Sequence, residues 1–280
     1  MSKQISLCQL SDFARQLQAD ERSPATIENY LRHIRAFASW VGETPITKEL
    51  ATQWKEHLVS SGYRPGTVNT MLVSLNRFFD FWGWHDCQMK PLRIQRRLFR
   101  EDSKELTRAE YERLVSAAQA SGRERLVLLL ETICSTGIRV SEVKYITVEA
   151  VQAGRAEIAL KGKLRTILLP GKLCRKLKKY AKAQKTASGE IFLTRSGKSL
   201  SRKQIWAEMK RLCRKAGVAP SKVFPHNLRH LFARTFYRVC RDIVKLADVL
   251  GHSSVETTRI YLISTGAEHA GILKKMSLIL

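Results

Sequence analysis

After the dipeptide Ser23-Pro24, apolar residues return at three- and four-residue steps: Ile27, Tyr30, Leu31, Ile34, Phe37, Ala38 and Val41. A stripe with that period has to be buried, so the segment is a helix packed against other helices. The start is marked as well. A serine oxygen satisfies free N–H groups of the first turn, where proline's missing N–H does no harm. Thr47 opens a second pattern through Leu50, Trp54 and Leu58, closed by Gly62. A third follows Arg64-Pro-Gly66 and runs Val68, Leu72, Leu75, Phe78/Phe79 and Trp82. With the stretch near Leu10–Leu17, residues 1–90 read as a bundle of about four helices joined by short connections.

The pattern then breaks. Residues 91–105 hold Pro91, Arg93, Arg96, Arg97 and Arg100 and no sustained apolar stripe. This is a basic linker able to lie along a phosphate backbone, and a solvated loop has the same composition. A second domain, 106–280, opens on Thr107 and Glu110 at capping-box spacing. An apolar helix over Glu124 to Ser135 ends at Gly137, and two β-prone runs, Arg155–Leu160 and Arg165–Leu169, flank the basic turn Lys161-Gly-Lys-Leu164. They predict a hairpin. Glu190–Leu193 is a candidate further strand. Helical patterns resume over Ser201–Ala216, His226–Val239, Asp242–Leu250 and a last group near Tyr261 and Gly266–Met276. The expected architecture is mainly α with one small β-sheet.

Charge narrows the partner. The 280 residues carry 49 Lys+Arg against 25 Asp+Glu, a net +24. Residues 1–100 hold 14 basic and 9 acidic groups, so most of the excess lies in the second domain. A field of one sign on that scale points to a polyanion, nucleic acid above all. Cys8, Cys87, Cys134, Cys174, Cys213 and Cys240 are far apart, without C-x-x-C or a Cys/His cluster. They fit reduced thiols rather than a disulfide framework or a zinc site. The start, MSKQISLCQL, lacks a signal-peptide core, and the longest strongly apolar run, Leu126 to Leu130, is too short to span a bilayer. The sequence thus predicts a soluble cytoplasmic protein, in a bacterial cytosol or nucleoid, with no membrane partner.

No carboxylate cluster or metal-ligand spacing stands out, so a two-metal nuclease is unsupported and no metal or cofactor is expected. Without metals, charge developing on a phosphodiester must be met by fixed donors, arginine first because of its fork geometry. Such groups stand at backbone breaks. "STGIRVSE" places Arg139 two residues after Gly137, "FPHNLRH" places His226 and Arg229 on one helical face, "LGHSS" places His252 past a helix end, and "TTRIY" ends on Tyr261. Each alone is as well explained by a solvated arginine, a chance histidine or a packed tyrosine. The order and spacing of the whole set argue for chemistry.

In these motifs the chain resembles the tyrosine recombinases, the phage-integrase and Xer-like group of site-specific DNA recombinases. The resemblance covers nearly the whole chain. It implies an N-terminal core-binding, SAM-like bundle and a tyrosine-recombinase catalytic domain closing as a C-shaped clamp on double-stranded DNA. It also implies that Tyr261 attacks the scissile phosphate to give a 3′-phosphotyrosyl enzyme, with Arg139, Arg229 and His252 on the non-bridging oxygens and His226 accepting the phenol proton.

A hairpin lysine protonates the leaving 5′-oxygen in that family. Here "ALKGKLRTILLP" departs from the usual Gly-Lys-Gly, which leaves Lys161 first and Lys163 as the alternative. Arg165 is assigned to phosphate or solvent, and Glu142 is a candidate to orient Arg139. Similar recombinases dock an apolar tail such as Leu273, Met276, Leu278 and Leu280 on a neighbour, in a tetramer on two DNA sites, and the first domain shows no clear arm-binding module before the bundle, which favours simple inverted-repeat core sites. Packing of that tail on its own domain is the alternative. An accessory directionality protein is compatible with the sequence. The rival readings are a type IB topoisomerase and a non-catalytic DNA-binding regulator on the same scaffold.

Overall fold

The computed structural model describes residues 3–94, 102–160, 163–262, 271 and 274–276. The chain divides into two compact units, Met1–Arg96 and Arg97–Leu280.

The first unit is built from α1 (Leu7–Ala19), α2 (Pro24–Val41), α3 (Lys48–Ser60) and α4 (Pro65–Phe81). Ser23 does cap α2, accepting from the Thr26 N–H at 3.3 Å, and Thr47 caps α3 in the same way. The stripe read from the sequence is the buried face of α2: Ile34 and Phe37 are inaccessible to solvent, packed with Leu72, Leu75, Phe78 and Phe79 of α4. Burying such side chains contributes roughly 1.5–3 kcal/mol each. Two asparagines on α4 hold the chain that leaves the bundle. Asn76 accepts from the Met89 N–H at 2.8 Å and donates to the Met89 carbonyl at 2.7 Å. Asn69, two turns earlier, treats Leu92 alike, at 2.7 and 2.9 Å. Each amide replaces the peptide partner this extended segment lacks.

The second unit contains α5 (Arg108–Ala120), α6 (Glu124–Thr136), α7 (Val148–Ala153), β1 (Arg155–Leu160), β2 (Lys163–Leu168), α8 (Gly171–Ala183), α9 (Arg202–Lys210), α10 (Cys213–Ala216), α11 (Pro225–Cys240), α12 (Ile243–Leu250) and α13 (Val255–Arg259). The Thr107–Glu110 capping box opens α5 as expected. The hairpin is antiparallel, with Ile158 opposite Arg165 and Leu160 opposite Lys163. α6 sits at the centre of the core, every residue from Leu126 to Leu130 buried.

Two expectations need correction. Glu190–Leu193 is not a strand but two isolated bridges, Thr147 to Glu190 and Leu193 to Ser199. Adjacent Ile191 and Phe192 are both buried in the core of the unit. The helical run 201–216 is broken at Arg211-Leu212, so that α9 and α10 are separate. Met209, Leu212 and Cys213 enter the core together on either side of the break. The last helical group falls largely outside the described residues, and among them Met276 is half exposed.

Among the described residues no helix is long and apolar enough to cross a membrane.

Candidate active site

Four chain breaks converge in the second unit. α6 ends on Gly137 in the left-handed region, φ 65°, where a Cβ would sit 2.3 Å from the Phe232 ring. Glycine alone meets both demands. The chain then turns through buried Ile138 to Arg139, at the head of the short 3-10 stretch Val140–Tyr145.

Glu142 in that stretch is 1% exposed and carries three hydrogen bonds. Its carboxylate accepts from the Arg139 backbone N–H at 2.7 Å, from Arg139 Nη1 at 2.9 Å and from Arg165 Nη2 at 2.7 Å. One buried anion thus holds two guanidinium groups at fixed angles.

Arg165 corrects an expectation. Assigned to phosphate or solvent, it points inward from β2 with its side chain 13% exposed, bonded to Glu142 and to the Leu250 carbonyl. Burial, with the charges of Arg229 and Arg139 beside it, lowers its pKa to about 10, a fall that Glu142 opposes.

α11 opens on Pro225, which leaves His226 exposed on the first turn and Arg229 one turn deeper, 2% exposed. Arg229 Nη1 donates to the Gly137 carbonyl and Nη2 to the Leu250 carbonyl at 2.8 Å. Both acceptors lie at helix C-termini, of α6 and α12, whose last carbonyls have no partner within the helix. Two negative helix ends therefore meet one buried cation. Its pKa is lowered by burial, against the opposing influence of the Tyr261 hydroxyl.

α12 ends on Gly251, φ 63°, where a Cβ would lie 2.4 Å from Arg165 Cδ. His252 follows, Nε2 at 2.9 Å from Arg229 Nη2 and Nδ1 at 2.8 Å from Thr258 Oγ1. Burial and the charges of Arg229, Arg139 and Arg165 push its pKa down to about 4.

Tyr261, just past α13, is 3% exposed and belongs to a small apolar cluster with Ala233, Leu246 and Leu250. Its ring stacks on His252, 5.8 Å between centroids at 10°, with His226 at 6.1 Å. The nearest ring is His230, edge-on at 4.5 Å. His230 stands inside "HNLRH" but drew no attention in the sequence. Its position four residues after His226, hence on one helix face, was the available signal. Burial, then the charges of His226, Arg234 and Arg229, lower its pKa to about 3. His226 is lowered too, by desolvation first and by Arg229 and Arg139 after it.

The site holds three guanidinium groups around one carboxylate, beside a phenol ringed by imidazoles that are neutral near pH 7. It can seat an anion and accept a proton. Among the described residues no group of three or more His, Cys, Asp or Glu could hold a metal ion. Arg96, Arg97, Arg100 and Lys161 lie outside the described residues, as do tail residues Leu273, Leu278 and Leu280. Lys163 is placed only through its backbone pairing with Leu160. Arg93 is exposed at the end of the first unit.

Residues 104–268 match the phage integrase family, and residues 10–85 match its N-terminal SAM-like domain. Tyrosine recombinase XerA of Thermococcus kodakarensis is 31% identical over 262 residues, 90% of this chain and 89% of the relative. XerC of Roseiflexus castenholzii is 28% identical, covering 90% and 88%. The fold is shared with a lambda integrase dimer bound to a core site, TM-score 0.74 at 18% identity over 93% of this chain and 95% of that one. It is also shared with the XerH recombinase bound to difH, TM-score 0.67 at 20% identity over 95% and 84%. The chain belongs to the phage integrase family, the tyrosine recombinases, which cleave and rejoin DNA at specific sites.

Proposed function

We propose that this recombinase cuts each strand with Tyr261. The phenol oxygen forms a bond to the scissile phosphorus as the bond to the 5′-oxygen breaks, leaving a 3′-phosphotyrosyl enzyme and a free 5′-hydroxyl. Neutral His226 takes the phenol proton, and Lys161 or Lys163 of the hairpin turn supplies one to the departing 5′-oxygen. Arg139, Arg229 and His252 bind the non-bridging oxygens. Covalent storage of the bond makes rejoining independent of any energy source. The observation that carries this reading is that the 3-10 stretch with Arg139, α11 with His226 and Arg229, and the end of α12 with His252 gather beside the segment carrying Tyr261.

Double-stranded DNA with inverted-repeat core sites is the substrate in this reading. It is held in the cytoplasm by a core-binding unit (1–90), a basic linker (91–105) and a catalytic unit (106–280). Lambda integrase has been seen as a tetramer on a Holliday junction. The same assembly suits this chain, with the C-terminal tail docking on a neighbour, in the integration or excision of a mobile element or in DNA resolution.

Covalent trapping tests the chemistry. End-labelled duplex from the flanks of the encoding element, nicked near candidate sites, is incubated with wild type and with Tyr261→Phe, then run under denaturing conditions. An adduct made only by wild type is the expected result. An adduct that persists in the Phe variant removes Tyr261 as nucleophile, and tight binding without any adduct favours a non-catalytic regulator.

A further inference from the structure

The two hydrogen bonds of the His252 ring decide which of its nitrogens carries the proton. A guanidinium has donors only. Nε2 of His252, 2.9 Å from Arg229 Nη2, must therefore accept, which puts the ring proton on Nδ1. Nδ1–H then donates to Thr258 Oγ1 at 2.8 Å. In the reading above, however, His252 has to donate to a phosphate oxygen, and a phosphate oxygen of a diester only accepts. A bare Nε2 repels it.

Two changes resolve the conflict. The ring can take a second proton, or its single proton can change nitrogen. The first is opposed by burial and by the three guanidinium groups of Arg229, Arg139 and Arg165. In the second, one proton leaves Nδ1 and one arrives at Nε2 through solvent, so the ring is neutral before and after. Nδ1 becomes an acceptor, so its neighbour has to reverse from accepting to donating, and Arg229 Nη2, which cannot accept, has to turn from Nε2 to the phosphate oxygen. A carbonyl or carboxylate cannot do that, nor can an amide N–H. A hydroxyl can, having one donor and two lone pairs.

Resting on that reading of His252, we propose that Thr258 is a positioning residue whose hydroxyl reverses direction. It holds His252 as the Nδ1–H tautomer in the free protein and as the Nε2–H tautomer when a DNA phosphate is bound. Thr258 is inaccessible to solvent, so water does not substitute for it. Its backbone carbonyl accepts from the Tyr261 N–H at 3.0 Å, so the turn that places the nucleophile also places the Thr258 side chain against His252.

Two variants and a spectrum test this. Thr258→Val keeps the shape and removes the hydroxyl, and Thr258→Ser keeps the hydroxyl. Single-turnover adduct formation is expected to slow at least about tenfold in Val, with unchanged DNA affinity, and to recover in Ser. Equal rates in Val and wild type overturn the proposal. Nitrogen-15 spectra of the His252 ring are recorded in Tyr261→Phe protein, free and bound to the duplex on which wild type forms its adduct. This arm does not depend on the folding of the Val variant. A proton on Nδ1 in the free protein and on Nε2 in the complex is expected. The same tautomer in both, or a doubly protonated ring in the complex, overturns it. Failure of the parent reading shows separately, as an adduct that survives Tyr261→Phe, and takes this proposal with it.

Discussion

Removing the Glu142 carboxylate leaves the Arg139 and Arg165 guanidinium groups side by side with nothing between them. Glu142 and Arg165 are nearly buried, so the loss is not repaired by water. Glu142→Ala is expected to lower stability by about 3 kcal/mol and to cut adduct formation, as read by denaturant unfolding and trapping. The imidazoles make a second residue-scale prediction. His252 and His230 have folded pKa values near 4 and 3, below the ordinary value near 6.5. As pH falls below about 6.5 the unfolded chain takes up protons that the folded chain refuses. Their contribution is complete above 6.5 and is lost as pH falls toward 4 and then 3. The denaturant midpoint should drop across that window, and His230→Gln should make the drop shallower. An unchanged pH profile in the variant would show that His230 is not one of the groups responsible.

The elements matter through how they stop. α6 and α12 both end on a left-handed glycine, and the carbonyls freed at those ends are the acceptors for Arg229. Moving either end by one residue would take a carbonyl away from a buried cation. Gly137→Ala combines a disfavoured backbone region, costing of the order of 1 kcal/mol or more, with a Cβ driven into Phe232. A lowered thermal midpoint and loss of adduct formation are expected together. Retained activity would mean that Phe232 moves aside without disturbing Arg229. The N-termini are simpler: Ser23, Thr47 and Thr107 each cap a helix with their own side chain.

For the whole molecule the governing quantity is the net charge of +24. A chain that neutralises several DNA phosphates releases counterions, and affinity then falls steeply with salt. Binding to duplex is expected to weaken by about three orders of magnitude or more between 50 and 200 mM salt, for roughly six or more phosphate contacts. Fluorescence anisotropy across that range checks it, and a flat response would mean that the excess charge lies away from the DNA. Adduct formation should fall in parallel only as far as occupancy falls, because Glu142, Arg139, Arg165 and Arg229 are tied together within the protein.

Helix starts, helix stops, the hairpin and the polar motifs were legible in the sequence because local chemistry determines them. A serine before a proline, a glycine after an apolar run and a basic turn between β-prone runs act over a few residues. That is why α2, α5, α6 and the β1–β2 pair lie where the pattern puts them, and why Arg139, His226, Arg229, His252 and Tyr261 could be picked out together. What tertiary structure alone decided is direction. Arg165 reads as a DNA-facing arginine until Glu142 and the Leu250 carbonyl, 23 and 85 residues away, are brought to it. Thr258 reads as an ordinary helical threonine until His252 turns Nδ1 toward it, and His230 until Tyr261 packs on its ring. The partners of a buried polar group are set by which chain ends meet in the fold, and local sequence holds no record of that meeting.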